Sequence, residues 1–258
     1  MGAQVDTDSI LSEESVVQVH NPSGRSPIVL VCEHASHHIP RHLNDLGLKP
    51  QDRQSHAAWD PGALAVALNL SRLLDAKLVA SCVSRLVYDC NRPPEAKDAM
   101  PAQSEVVQVP GNVGLSAADK QARLTKYYAP FRTALEKALQ ATTNPVVVTI
   151  HSFTPIYHGK PRSVEIGVLH DRDTRLADAM LALAPGDLAV IRNAPYGPDD
   201  GVTHTLKEHA IPAGHLNVML EIRNDLIATD TQQDTRATGL AQWLTAALEH
   251  ISKTGHAA

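Results

Sequence analysis

Val146-Val147-Val148-Thr149-Ile150-His151-Ser152-Phe153 is a β-branched apolar run that ends in a histidine. Two other places repeat the design: Ile28-Val29-Leu30-Val31-Cys32 runs into Glu33-His34-Ala35-Ser36, and Asn217-Val218-Met219-Leu220 runs into Glu221-Ile222-Arg223-Asn224. Apolar runs with no polar alternation read as strands buried on both faces, the signature of a parallel sheet. In open α/β sheets the ligand site lies outside the carboxyl ends of such strands. Three strand ends carrying His, His and Glu therefore predict one cleft with metal-hydrolase chemistry.

Around these runs, strand and helix patterns alternate. Further strands are expected at 77–83, 164–169 and 187–192, with an apolar stretch at 85–90. Helices are expected from Asp60-Pro61 onward, where Asp at the N-cap and Pro in the first turn form a start signal, and over 116–139, 173–184 and 232–252, with a short one ending near His209. Pro130 must kink or split the second of these. The pattern predicts an α/β chain: a three-layer α/β/α sandwich around a mixed, mostly parallel sheet. Residues 1–24 read as an N-terminal arm, partly disordered or loosely packed, and 25–258 as a single catalytic domain. The polar segment 33–58 is long enough to carry a short helix, and the Pro-rich 93–114 reads as an active-site loop or flap.

Composition narrows the function. The chain of 258 residues is 43% hydrophobic and 20% charged, ordinary for a globular domain. A net charge of −5 and an aromatic content of 3% argue against nucleic acid as a partner and against anionic membrane surfaces. No apolar run approaches the length of a membrane span. The first residues lack the basic-plus-apolar pattern of a signal peptide. Three cysteines, Cys32, Cys82 and Cys90, with no Cys-x-x-Cys pair, read as small core residues in a reducing, cytoplasmic setting. The sequence carries no reading of oligomeric state.

Fourteen histidines invite a search for metal ligands. His34 and His151 each follow a strand directly; either alone reads as a hydrogen-bonded structural histidine, and the two together tip toward a metal. A catalytic zinc needs three protein ligands and an open position. For the third, Asp60, Glu33 and His37 are the candidates, Asp60 having the competing role of helix cap. Glu221, a charge at the end of an apolar strand, reads either as a general base for an attacking water or as an ion-pair partner of Arg223.

Taken together, Cys32-Glu33-His34-Ala35-Ser36, Trp59-Asp60-Pro61-Gly62-Ala63, the run Ser84–Pro93 and His151-Ser152-Phe153-Thr154-Pro155 resemble the N-formylglutamate amidohydrolase family. So do Arg162 with Ile166-Gly167-Val168-Leu169 and the closing Leu220–Ile227. The match runs in family order over about 27–250. Asp89-Cys90-Asn91-Arg92 also looks like an element of zinc carboxypeptidases and aspartoacylases, where the Asn-Arg pair holds a substrate carboxylate. The resemblance implies a zinc carboxypeptidase-like (phosphorylase/hydrolase-like) fold and one Zn2+ per chain. It implies His34, Asp60 and His151 as ligands, Glu221 as general base and His209 as a further catalytic residue, and it demotes His37. Substrate contacts would come from Arg85, Asn91, Arg92, Arg162 and Arg223, with Ser36 and Ser152 beside them.

The partner implied is a small carboxylate-bearing molecule whose amide C–N bond is hydrolysed, an N-formyl or N-acyl amino acid such as N-formylglutamate. The alternative is a zinc amidase or carboxypeptidase-like enzyme for a peptide or peptidoglycan fragment. The number of arginines facing the metal separates the two, a glutamate needing two carboxylate clamps and a peptide end one. Glu33-His34-Ala35-Ser36 departs from the Pro-His-x-Gly typical of the histidine-degradation enzymes, a departure that touches substrate identity more than catalysis.

Overall fold

The computed structural model describes residues 15–255. Residues 1–14 of the expected arm thus lie outside the described residues. The strands are β1 (Val17–His20), β2 (Ile28–Cys32), β3 (Lys77–Ser81), β4 (Gln103–Ser104), β5 (Val107–Gln108), β6 (Val146–Phe153), β7 (Ile156–Tyr157), β8 (Lys160–Pro161), β9 (Ile166–Leu169), β10 (Val190–Arg192) and β11 (Asn217–Arg223). Seven form one sheet in the order β1-β3-β2-β6-β11-β9-β10, and β4-β5 and β7-β8 are small separate hairpins. β3, β2, β6 and β11 run parallel, while β1 and the β9-β10 pair run against them. The sheet is mixed, with a parallel centre.

The helices are α1 (Pro50–Arg53), α2 (Ala63–Leu74), α3 (Ala117–Arg123), α4 (Ala129–Gln140), α5 (Arg175–Ala182), α6 (His204–His209) and α7 (Asp230–Thr254). Every residue of β2, β3 and β6 is buried, because both faces are covered. On one face Leu30, Val148, Ile150 and Leu220 pack against Leu70 of α2, Met180 of α5 and Leu244 of α7. On the other Val31, Val147 and Met219 pack against Phe131 and Leu135 of α4. This is the three-layer α/β/α arrangement.

Several expectations need correction. Val17–His20 falls within the predicted arm, yet it forms the edge strand against β3, where its backbone groups find partners. The stretch 85–90 is a series of turns: Ser84 Oγ accepts from the Leu86 N–H and Ser84 O from the Val87 N–H, so no strand continues. Asp60 does not cap α2; the N-cap is Gly62, at φ +82, a conformation that suits glycine. A Cβ on Gly62 would also overlap the carbonyl oxygen of Ile227, so the residue lets the segment after β11 close on the start of α2. Pro130 sits in the first turn of α4, directly after a π-helical turn at Leu124–Tyr128, which divides the long helix as Pro130 requires. The segment 33–58 carries α1, and 93–114 carries the β4-β5 hairpin.

Candidate metal centre and cleft

The carboxyl ends of β2, β6 and β11 lie side by side, and the residues at these ends meet above the sheet. β11 and β6 are paired so that Glu221 stands opposite His151. The Asp60 N–H donates to His34 O at 3.0 Å, fastening the turn before α2 to the residues after β2. The ring of His34 and the carboxylate of Asp60 are thereby brought together. Pro61 favours an extended Asp60 and frees that carboxylate from capping.

Three ligand-type atoms converge, and all three residues are buried. Asp60 Oδ2 lies 2.9 Å from His151 Nδ1 and 3.2 Å from His34 Nδ1, and the two Nδ1 atoms are 3.2 Å apart. Tetrahedral coordination with bonds of about 2.0 Å would space its ligand atoms by about 3.3 Å. The Ser152 N–H donates to Asp60 Oδ2 at 3.2 Å, and Ser152 Oγ donates to Pro61 O at 2.8 Å, holding the turn in place.

Behind each imidazole stands a second carboxylate. His34 Nε2 lies 2.7 Å from Asp89 Oδ1. His151 Nε2 lies 3.1 Å from Glu33 Oε2, close but not aligned as a hydrogen bond. A carboxylate on the distal nitrogen sets the tautomer that leaves Nδ1 as a lone-pair donor, the arrangement that orients metal-binding histidines. Two lone pairs facing each other at 3.2 Å repel unless a proton or a cation lies between them. Asp60 and Asp89 share the guanidinium of Arg85, which reaches Asp89 Oδ2 at 2.8 Å and Asp60 Oδ1 at 3.5 Å.

This crowding of charge sets how the groups titrate. Burial and Arg85 depress the His34 imidazole, but Asp89 and Asp60 outweigh them and its pKa is raised. Burial likewise opposes the charging of His151, and Glu33 and Asp60 overcome it, holding the ring well above its ordinary value. Burial works against ionised Asp60 and Asp89, yet the surrounding cations hold both carboxyls below the usual range. Glu221 goes the other way: burial, only partly offset by His151, pushes it up to about 7. Its Oε2 is buried with no hydrogen-bond partner among the described residues.

A cleft of about 280 Å3 reaches this cluster at Asp60 and is lined also by Glu221, Arg85, Arg92, Tyr196 and Ser152 among others, while His34 and His151 lie outside the lining. The family model of N-formylglutamate amidohydrolase matches residues 26–228. The chain belongs to the N-formylglutamate amidohydrolase family. It is therefore a hydrolase of the amidohydrolase class. The fold is similar to the crystal structure of gene product Atu2144 from Agrobacterium tumefaciens, with 53% identity over 93% of this chain and 98% of that one and a TM-score of 0.91. It is also similar to the crystal structure of N-formylglutamate amidohydrolase from Ralstonia eutropha JMP134, with 17% identity over 92% and 97% of the two chains and a TM-score of 0.65. At that identity the second likeness concerns the fold alone. A search among curated proteins gives no match.

Not every residue expected in the site reaches this cleft. Asn91 and Arg92 line it, but they extend from the 85–92 turns and not from a strand. Asn91 is structural at both ends of its amide: Nδ2 donates to Val202 O, and Oδ1 accepts from the Thr205 N–H at 3.1 Å. Arg92 donates from Nε to Asp98 at 2.6 Å and from Nη1 to Gly201 O at 3.2 Å. Arg223 turns away to Asp225, Glu165 and the carbonyl of Arg162. Neither it nor Arg162 lines the cleft; Arg162 stacks beneath it on Tyr157. Ser36 is spent on the His38 N–H. His209, on α6, is also away from the lining, and burial lowers its pKa to about 4.

Four residues escape a reading of the sequence as site residues. Asp89 backs His34; its signal was the Asp-x-Asn-Arg element, whose first residue carries the role. Tyr196 lines the cleft from a Pro/Gly loop that gives no periodic signal. His56 and Glu105 join the 33–58 segment to the turn of the β4-β5 hairpin through contacts of 2.9 and 3.0 Å at the rim. No helix of the described residues is long and apolar enough to cross a membrane.

Proposed function

We propose that this chain hydrolyses the amide bond of a small N-formyl or N-acyl amino acid, with zinc held by His34, Asp60 and His151. The observation that carries this reading is the convergence of three ligand atoms, two of them on carboxylate-backed imidazoles, beneath a small cleft that also holds Glu221 and Arg92. A zinc ion bound there supplies a Lewis acid that lowers the pKa of a water to about 7 and polarises an amide carbonyl.

Glu221 does the proton work. Buried in the cleft and opposite His151, its carboxylate accepts a proton from the attacking water and returns it to the leaving nitrogen. Arg92 holds the substrate carboxylate. It belongs to the lining, and its Nη2 carries no protein bond among the described residues, so part of the fork is available. Arg85 faces the cleft but is engaged by Asp60 and Asp89, which leaves Arg92 as the one free clamp among the lining residues; the count of arginines thus suits a single carboxylate, and it is the size of the cleft that favours an acyl amino acid. A space of about 280 Å3 sits at the lower edge of small-molecule sites and suits an acyl amino acid better than a peptidoglycan fragment.

The test is an amide-hydrolysis screen of the zinc-loaded protein across N-formyl and N-acyl amino acids, repeated with Arg92→Lys. Hydrolysis of carboxylate-bearing substrates is expected, with Arg92→Lys costing roughly 1–3 kcal/mol in kcat/KM on N-formylglutamate and little on its diamide. Equal losses on both substrates would remove Arg92 from the carboxylate. Inertness toward the whole panel would remove the function.

A further inference from the structure

Tyr196 has no role in the proton transfer or the carboxylate clamp, yet its setting is closely constrained. The loop that carries it comes after β10 and is pinned at its base: the Asn193 N–H donates to Val168 O at 3.0 Å, and Asn193 Oδ1 accepts from the His170 N–H at 2.9 Å. It then crosses Gly167, which stands opposite Glu221 in the antiparallel β9-β11 pairing. A Cβ on Gly167 would overlap the carbonyl oxygen of Ala194, so only glycine lets the loop lie this close to the sheet. The close approach brings Tyr196 into the lining of the cleft that holds Glu221 and Arg85.

Arg162 fixes the ring. Its guanidinium lies 4.3 Å from the Tyr157 ring centroid, 5.1 Å from that of Tyr196 and 5.4 Å from that of Phe153. Its Nη2 donates to Tyr196 Oη at 3.0 Å. A guanidinium can only donate, so the phenol oxygen is the acceptor there and its own proton must point elsewhere. Among the described residues that oxygen makes no second hydrogen bond, so the proton is left unclaimed. A phenol that accepts a charge-assisted hydrogen bond is also a stronger donor through its remaining proton. Burial and the Glu221 charge push its pKa up to about 12, so it stays protonated across the working range.

We propose that Tyr196 is a catalytic residue that donates a hydrogen bond to the oxygen of the scissile carbonyl as that oxygen takes on negative charge. This rests on the amide-hydrolase reading of the site. The water oxygen bonds to the carbonyl carbon, the C–N bond breaks, and one water proton passes by way of Glu221 to the nitrogen. Tyr196 keeps its proton throughout and serves as a fixed dipole. Arg162, expected from the sequence to bind substrate, is then a positioning residue acting through the phenol.

Tyr196→Phe tests this, since it keeps the ring on Arg162 and removes only the hydroxyl. On N-formylglutamate, or whichever acyl amino acid the screen finds, kcat and kcat/KM should fall together by roughly 10²-fold with KM nearly unchanged, as for loss of one oxyanion donor. Metal content and Tm should match the wild type. A phosphonate mimic of the tetrahedral oxyanion should bind Tyr196→Phe more weakly by a similar factor, while the amino acid product binds equally well. A raised KM at constant kcat would overturn the proposal in favour of a substrate-binding role. Activity within threefold of wild type, or equal mimic affinity, would overturn it outright. Wild-type protein inert on every acyl amino acid would overturn the function beneath it, an outcome distinct from an active wild type beside an unimpaired variant.

Discussion

The two walls of the cleft are built differently. One is made of sheet: Ser152 and Phe153 lie within β6 and Glu221 within β11, with the buried His34 and His151 beside them. The other is made of loops: Arg92 leaves a series of turns, Tyr196 a tethered loop, and Glu105 the turn of a two-residue-strand hairpin. Position on the first wall is set by strand register, which a one-residue slip would destroy along with the core. Position on the second is set by individual hydrogen bonds and by close backbone approach, as at Gly167. A metal site needs ligand atoms that meet at a point; register places His151, and hydrogen bonds to His34 and Ser152 bring Asp60 on its turn to meet it. Substrate reading can use the second wall, and loops are where related enzymes diverge.

If the sheet wall does the chemistry, its removal should cost most. Glu221→Gln is nearly isosteric and leaves the strands intact, so it should keep the metal and lose 10²-fold or more in kcat. Near-normal turnover would make Glu221 a structural partner. One layer behind, Asp89→Asn keeps an acceptor for His34 Nε2 but removes the charge, and metal affinity read by chelator competition should weaken by roughly 10- to 100-fold. Unchanged affinity would mean that Asp89 serves Arg85 alone. The smallest effect belongs to His209, which lies outside both walls. Burial holds its folded pKa near 4, while the unfolded chain titrates near 6.5. Its contribution to stability is therefore complete above pH 6.5 and is lost as pH falls toward 4, because the unfolded state binds the proton first. His209→Gln should flatten that slope, narrowing the gap to wild type by about 1 kcal/mol at pH 5.5 and by almost nothing at pH 8. A loss of turnover at pH 8 would instead return His209 to the catalytic role that the family resemblance implies.

The same contrast explains what was legible in the sequence. The sheet wall could be read because doubly buried strands show as unbroken apolar runs, and a charged or imidazole residue at the end of such a run stands out. Asp60 was harder: Asp-Pro before an amphipathic segment has the form of a helix start, and only the residue Gly62 at φ +82 shows that the cap lies two positions on. Asp89 was hidden because Leu86-Val87-Tyr88 is apolar enough to pass for a strand, whereas Ser84 turns the chain there. Arg223 misled because composition says nothing of local competition; Asp225 and Glu165 claim its guanidinium before the cleft can. Tyr196 depends on a glycine 29 positions earlier, a dependence no local pattern records.

The central claim is that the buried histidines serve a metal and are not merely an ion-paired cluster. Metal content measured by elemental analysis after zinc loading and exhaustive desalting tests it directly, on the wild type and on His151→Ala side by side. The account predicts about one zinc per chain in the wild type and a loss of most of it in the variant, with the fold intact by circular dichroism. A folded His151→Ala protein that retains the full zinc content, or a wild type that binds none, would contradict it.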